Sequence, residues 1–170
     1  MDYASLVRDV PDFPIEGVLF KDITPLLADG PAYRHVIDQL AERLRPLQAD
    51  VVVGMESRGF IFAAPLAYAL GLGFVPVRRL GKLPAASIRV EYELEYGRNS
   101  FEIHTDAIRP GQRVLIVDDV LATGGTVGAT ISLVEQLGGQ VAALAFLIEL
   151  KALDGRRHLA DRRIVSLIEY

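Results

Sequence analysis

Residues 114–126 read VLIVDDVLATGGT: four apolar residues run into two adjacent carboxylates, Asp118 and Asp119, and then into a stretch of threonine and glycine. Neighbouring carboxylates repel, so the pair needs solvent or positive charge. RVLIV at 113–117 predicts a buried strand of a parallel sheet, and ligands of such sheets bind beyond the carboxyl ends of the strands. The acids are therefore expected just past the strand, at a binding crevice. Ala122, Thr123, Gly124, Gly125 and Thr126 come next. Glycines there let the backbone turn tightly and aim successive N–H groups inward, at the start of a helix whose dipole also favours an anion. That is a phosphate cradle. Carboxylates beside it suit a sugar phosphate, because they accept hydrogen bonds from neighbouring ribose hydroxyls, and a divalent cation nearby relieves their repulsion. A DD pair alone more often forms a turn and caps a helix; the complete string of apolar strand, acids and ATGGT favours the ligand. The loop lacks the lysine of the Gly-x-x-x-x-Gly-Lys-Ser/Thr pattern, which argues against a kinase or NTPase.

Positioning these groups requires a sheet. Residues 31–47 follow an Asp-Gly turn, begin with proline where a first helical residue tolerates it, and repeat apolar residues at Val36, Ile37, Leu40 and Leu44, which predicts an amphipathic helix. DVVVGM at 50–55 predicts a short buried strand. Residues 59–77 carry no charge. Pro65, Gly71, Gly73 and Pro76 interrupt this stretch, so it reads as a core helix ending near Gly71 and a buried strand, in preference to a membrane span. A helix is expected at 126–137, with strands at 140–148 and 163–168. This alternation through short connections predicts a single α/β domain over 1–170, doubly wound around a mainly parallel sheet. Alternation in SIRVEY and SFEIHT, within residues 81–105, predicts two antiparallel strands around a polar middle, a hairpin lid lying outside the core.

Composition removes several classes. With 18 basic and 22 acidic residues the net charge of -4 gives no electrostatic reason to bind nucleic acid or an acidic membrane. There is no cysteine, and His35, His104 and His158 are scattered without ligand spacing, which argues against zinc. MDYASLVRDV has an early acid and no apolar block of signal-peptide length, so a cytoplasmic protein is expected.

The string at 114–126 resembles the 5-phosphoribosyl-1-pyrophosphate motif of the type I phosphoribosyltransferases. With EGVLFKDITPLL at 16–27, GMESRGF at 54–60, and the segments from RRLGKLP through LEYG at 78–97, the chain is similar to the adenine-specific branch of that family over nearly its whole length. The resemblance implies Mg2+-dependent transfer of a phosphoribosyl group to adenine, giving AMP and pyrophosphate, by a homodimer. Magnesium would bind chiefly through substrate oxygens and water. The alternatives are the same chemistry on a 6-oxopurine, with Lys21 or Lys151 donating to O6, and a regulatory module that binds the sugar pyrophosphate without turnover.

Residue roles follow from the same likeness. Asp118 and Asp119 would hold the ribose, and Ala122 to Thr126 the 5-phosphate. Glu56, Ser57, Arg58 and Gly59 would bind pyrophosphate, with a cis peptide at Glu56–Ser57; Arg58 supplies a guanidinium where a helix N-terminus supplies amides. Arg78 and Lys82 are expected at pyrophosphate by family position, Arg79 is left open, and one of these cations is available to a neighbouring subunit. Glu95 and Tyr96 match the lid's catalytic motif, Glu95 either hydrogen-bonding to the purine N7/N9 system or exchanging a proton with it. Glu91 and Glu93 read as the polar face of a strand. A small hood over about 1–30 would place Phe20 against the purine plane and the backbone of Val18, Leu19 and Phe20 at its edge. Lys21 stands there where some relatives have arginine, so bidentate geometry is lost.

Overall fold

The structure is a computed structural model that describes residues 2–94, 97–159 and 161–170. Thirteen elements position the site among the described residues. Two short strands come first, β1 (Arg8–Val10) and β2 (Phe20–Asp22), then helices α1 (Thr24–Ala28) and α2 (Gly30–Leu44). Next come β3 (Val51–Met55), α3 (Arg58–Leu70), β4 (Gly73–Arg79), β5 (Ser87–Leu94) and β6 (Gly97–His104). The chain continues through β7 (Arg113–Leu121), α4 (Gly125–Gln136), β8 (Gln140–Glu149) and β9 (Ile164–Glu169).

The main sheet has the order β5-β6-β4-β3-β7-β8-β9, with β4, β3, β7, β8 and β9 parallel and β5 and β6 antiparallel at one edge. Helices cover both faces, as the alternation predicts. Val52, Leu115 and Val117 face α2 and α3, while Val51, Val53, Val114 and Ile116 face α4. Both faces of β3 and most of β7 are buried, which is why these strands read as continuous apolar runs. The uncharged 59–77 stretch divides as expected: α3 ends on Gly71, left-handed at φ 70°, and β4 follows. Among the described residues no helix is long and apolar enough to cross a membrane.

Two expectations need correction. The 81–105 hairpin is not outside the core: β6 pairs with β4 (Arg78 with Glu102, Arg79 with Phe101), and Phe101 and Ile103 are buried. Only alternate residues of each strand face inward, so a half-polar sequence still contributes a full apolar face. The acids, likewise, do not follow the end of β7 but lie within it. Asp118 pairs with Phe146 of β8, and pairing continues to Leu121 with Glu149. On the other side, pairing with β3 stops at Val117 with Gly54. Asp118 and Asp119 thus sit on a strand supported from one side and open on the other.

The hood is a separate two-stranded antiparallel ribbon in which Arg8 faces Asp22, Asp9 faces Lys21 and Val10 faces Phe20. Its turn is tied by Asp12, whose Oδ1 accepts from Gly17 N at 2.7 Å.

Candidate functional site

Where β3 stops short of β7, a cleft of about 320 Å³ opens, with Asp118, Asp119 and Thr126 on one side and Glu56, Ser57 and Arg58 on the other. Arg79, Tyr92 and Phe101 close it from the hairpin edge. The loop leading into α4 adds a smaller hollow of about 50 Å³ lined by Ala122, Thr123 and Gly124 together with Asp118. The first amides of α4 have no acceptor within the helix, and among the described residues no side-chain hydrogen bond caps them. They are free to bind an anion.

The acids are under electrostatic stress. Burial, with the charge of Asp119 added, pushes the Asp118 carboxyl well above the ordinary carboxylate value of 3.8. Burial also raises Asp119, against the opposing pull of Arg58. Arg58 Nε lies 2.8 Å from Asp119 Oδ2. The contact is electrostatic and poorly aligned: Oδ2 is buried and receives no hydrogen bond among the described residues. Asp118 Oδ1 is partly used, accepting the Asp119 N–H at 2.9 Å. A buried acceptor lacking a donor, beside a second carboxylate and next to helix-start amides, can bind a molecule that carries hydroxyl groups at one end and an anion at the other.

The opposite wall is fitted to this one at atomic range. The Glu56–Ser57 peptide is cis. Gly59, in the first turn of α3, is 3.1 Å from Val117 O and 2.7 Å from Asp118 Oδ1 when measured from the Cβ that an alanine would carry. Any side chain there would press into the acid, so α3 approaches the pair only because residue 59 is glycine. Glu56 accepts from the Arg79 N–H at 3.0 Å and from Arg78 at 3.2 and 3.4 Å. Burial would raise its pKa, but these donors outweigh it and hold the carboxyl below its ordinary value. The guanidinium of Arg58 also lies over the ring of Phe20, 5.1 Å from its centroid. One residue therefore links the hood to the acids.

The phosphoribosyl transferase domain family matches residues 24–168. The adenine phosphoribosyltransferase of Chloroflexus aurantiacus is 60% identical over 99% of this chain and 98% of its own. This chain belongs to the adenine phosphoribosyltransferase family. A crystal structure of the member from Thermoanaerobacter pseudethanolicus superposes with a TM-score of 0.97 at 54% identity, covering 99% of this chain and 98% of that one. The Saccharomyces cerevisiae member, complexed with an imino-altritol bisphosphate and adenine, does so at 0.90 and 41% identity over 96% and 94%.

For a phosphoribosyltransferase the expected residues fall into three groups. Asp118, Asp119 and the 122–126 loop converge with Glu56, Ser57, Arg58 and Gly59 around one cleft. Arg78 is held by Glu56 and by the Lys82 carbonyl, at 3.2 Å, and Arg79 joins Arg58 in lining the cleft. Lys82 gives its N–H to Glu102 Oε1 at 3.0 Å. Lys21, expected at the base, is directed elsewhere: its ammonium pairs with Asp9 at 2.6 Å and lies 3.7 Å over the ring of Tyr170. Successive residues of a strand point to opposite faces, so if Phe20 faces the cleft Lys21 cannot. Glu95 and Tyr96 lie outside the described residues.

Sequence reasoning missed Tyr92 and Phe101. Their rings pack at 5.1 Å on the cleft side of the hairpin. The alternation in SIRVEY already put Ile88, Val90 and Tyr92 on one face; what it lacked was the knowledge that this face meets α4.

Proposed function

We propose that this protein transfers the 5-phosphoribosyl group of phosphoribosyl pyrophosphate to adenine, releasing pyrophosphate and forming AMP, as a purine-salvage enzyme acting as one domain over 1–170. The observation that carries the reading is the buried, donor-less Oδ2 of Asp119 beside Asp118, adjoining the unpartnered amides that begin α4. Vicinal ribose hydroxyls supply the missing donors, and the 5-phosphate of the same sugar reaches the amides of Ala122 to Thr126. A molecule with hydroxyls alone or phosphate alone would satisfy half of the site.

Cleavage at ribose C1 places negative charge on pyrophosphate and positive charge on the sugar. Arg58, with Ser57 and Gly59 at the start of α3, meets the first, and Arg79 joins from the cleft wall. The Asp118–Asp119 pair lies beneath the sugar, where ionised carboxylates favour its developing positive charge. Arg78, turned toward Glu56, serves with Lys82 the pyrophosphate site of the second subunit of a homodimer. Among the described residues no group of three or more histidine, aspartate or glutamate side chains is arranged to hold a metal. Paired acids with raised pKa values and open acceptors nevertheless suit a magnesium–sugar complex, in which the ion is held by substrate oxygens and water. Bound there, Mg2+ would neutralise charge on the pyrophosphate.

Adenine stacks on Phe20, on the face where the Arg58 guanidinium now lies; as N9 bonds to C1 and the C1–pyrophosphate bond breaks, Glu95, with Tyr96 beside it in sequence, takes up the proton that the purine loses. Val18 has its N–H on Ile15 O and its carbonyl on Phe13 N, whereas Leu19 takes part in none of these turn hydrogen bonds. Leu19 is thus the residue whose backbone reads the edge of the base, with Phe20 supplying the plane. Each lysine considered as the donor to a 6-oxopurine is engaged, Lys21 with Asp9 and Lys151 with Glu169. A cytoplasmic setting fits the small-molecule substrates.

The test is mass detection of AMP from adenine, phosphoribosyl pyrophosphate and magnesium, with hypoxanthine, guanine and xanthine as competitors in a pyrophosphate-release assay. AMP formation that the oxopurines do not suppress is expected. Preferential turnover of an oxopurine, or tight binding of the sugar pyrophosphate with no AMP formed, would overturn the reading.

A further inference from the structure

We infer that Gly155, on the side of the phosphate loop away from the cleft, is a positioning residue that sets where the loop amides sit. The inference rests on the phosphoribosyl reading of that loop. Gly155 is buried, and a Cβ added to it would lie 2.2 Å from Ala122 O, 3.2 Å from Ala122 C and 3.1 Å from Leu121 Cδ1. Gly124, at φ +88°, makes the reverse contact: its added Cβ would lie 2.8 Å from Gly155 O. Two backbones touch from both directions with no side chain between them. Ala122 and Gly124 belong to the turn that delivers amides to the phosphate, so the position of Gly155 fixes how far that turn can retreat.

A buttress works only if it is itself held. Arg156, the next residue, forks onto Glu149, with Nε to Oε1 at 2.5 Å and Nη2 to Oε2 at 2.6 Å. Ser166 Oγ donates to the same carboxylate at 2.8 Å. Glu149 is buried at the end of β8 and Ser166 is on β9, so the segment behind the loop is anchored to two strands of the sheet. The Leu150 N–H also donates to Leu121 O at 2.9 Å, joining the segment to the last residue of β7. The phosphate side of the loop is soft glycine and threonine; its back is fixed.

A methyl group at 155 cannot be absorbed by rotating a side chain alone, because the nearest atom in its way, Ala122 O, is backbone. The loop must move forward by roughly 1 Å, a displacement of the size that can cost about 100-fold when it misplaces a binding group. A purely structural glycine would lower stability and leave the substrate constants in proportion. Gly139 supplies the control: its added Cβ would meet Ile108 Cγ2 and Val134 Cγ1 at 2.8 Å, beyond the far end of α4.

The experiment compares wild type, Gly155→Ala, Gly139→Ala and Arg156→Lys, measuring Tm, the KM for phosphoribosyl pyrophosphate, the inhibition constant of ribose 5-phosphate and the KM for adenine. For Gly155→Ala, both sugar-phosphate constants are expected to rise about 10- to 100-fold with the adenine KM within about two-fold. Arg156→Lys, which keeps the charge but loses the fork, should move them in the same direction by less. Gly139→Ala should lower Tm and leave all three constants in place. The inference is overturned if Gly155→Ala leaves the ribose 5-phosphate constant at its wild-type value, if the adenine KM rises in step, or if Gly139→Ala shows the same pattern. Should Gly155→Ala fail to fold, an unchanged ribose 5-phosphate constant in Arg156→Lys overturns it. Wild-type protein that forms no AMP would instead remove the phosphoribosyl reading itself.

Discussion

The two ends of the cleft are built in different ways. At the sugar-phosphate end every functional group hangs on the central sheet: the acids are part of β7, their neighbour Gly59 opens α3, and the loop is backed by a segment tied to β8 and β9. At the base end the ribbon of β1 and β2 has three residues in each strand and is held by two ion pairs, Arg8 with Asp22 and Lys21 with Asp9, each with one exposed partner. Two-stranded ribbons of that size have marginal stability alone. Phe13, Ile15 and Leu19 of the hood are each about half exposed, whereas Val114 to Val117 are fully buried. A phosphate dianion needs donors fixed in advance, and a sheet fixes them; a flat base needs a plane and an edge, which a light ribbon can bring to it.

Replacing both acids, as Asp118→Asn/Asp119→Asn, should break the sheet-built end most severely. Losing two charge-assisted hydrogen bonds at about 1.5–3 kcal/mol each lowers kcat/KM by roughly 10²- to 10⁴-fold. The same change should raise the Tm of the ligand-free protein. Both folded-state pKa values are raised above 3.8, so the folded protein binds more protons than the unfolded chain, and stability falls as pH rises through that window. The Tm gain over wild type should therefore be absent near pH 3.8 and grow toward neutrality. A Tm below wild type at pH 7 would show that the pair contributes stability instead of function.

Phe20→Ala addresses the hood. Stacking on an aromatic ring contributes about 1–3 kcal/mol per base, so the adenine KM should rise on the order of ten-fold or more while the KM for phosphoribosyl pyrophosphate stays within about two-fold. An equal rise in both constants would join the two ends into one unit. Tyr170→Ala, which removes the ring beneath Lys21, should have the smallest effect. A cation–π contact of about 0.5–1 kcal/mol gives a two- to five-fold rise in the adenine KM without altered base preference. If base preference does change, Lys21 acts on the base and not on the tether.

Legibility from sequence follows the same division. The buried strands and the phosphate loop are readable because each carries its own signal: an apolar run for VLIV, glycines and threonines for the turn. The extension of β7 through Asp118 to Leu121 is not, because adjacent carboxylates contradict strand preference and only pairing with β8 keeps them extended. Arg78 and Arg79 are neighbours of one type on one strand, so which faces the cleft depends on register, which spacing alone does not set. Lys21 is tethered to Tyr170 at the other end of the chain, a partner that no local pattern reveals. Gly155 sits in ALDGRRH, where Asp-Gly reads as an ordinary turn, and its contact with Ala122 exists only after the strands are assembled.

The most direct measurement is a crystal structure of the protein with AMP. The account expects the phosphate against the amides of residues 123–126 and the 2- and 3-hydroxyls of the ribose donating to Asp118 and Asp119, with Asp119 Oδ2 satisfied. It also expects adenine on the ring of Phe20. AMP bound away from the acids, or with its phosphate at Arg58 and the loop left empty, would contradict it.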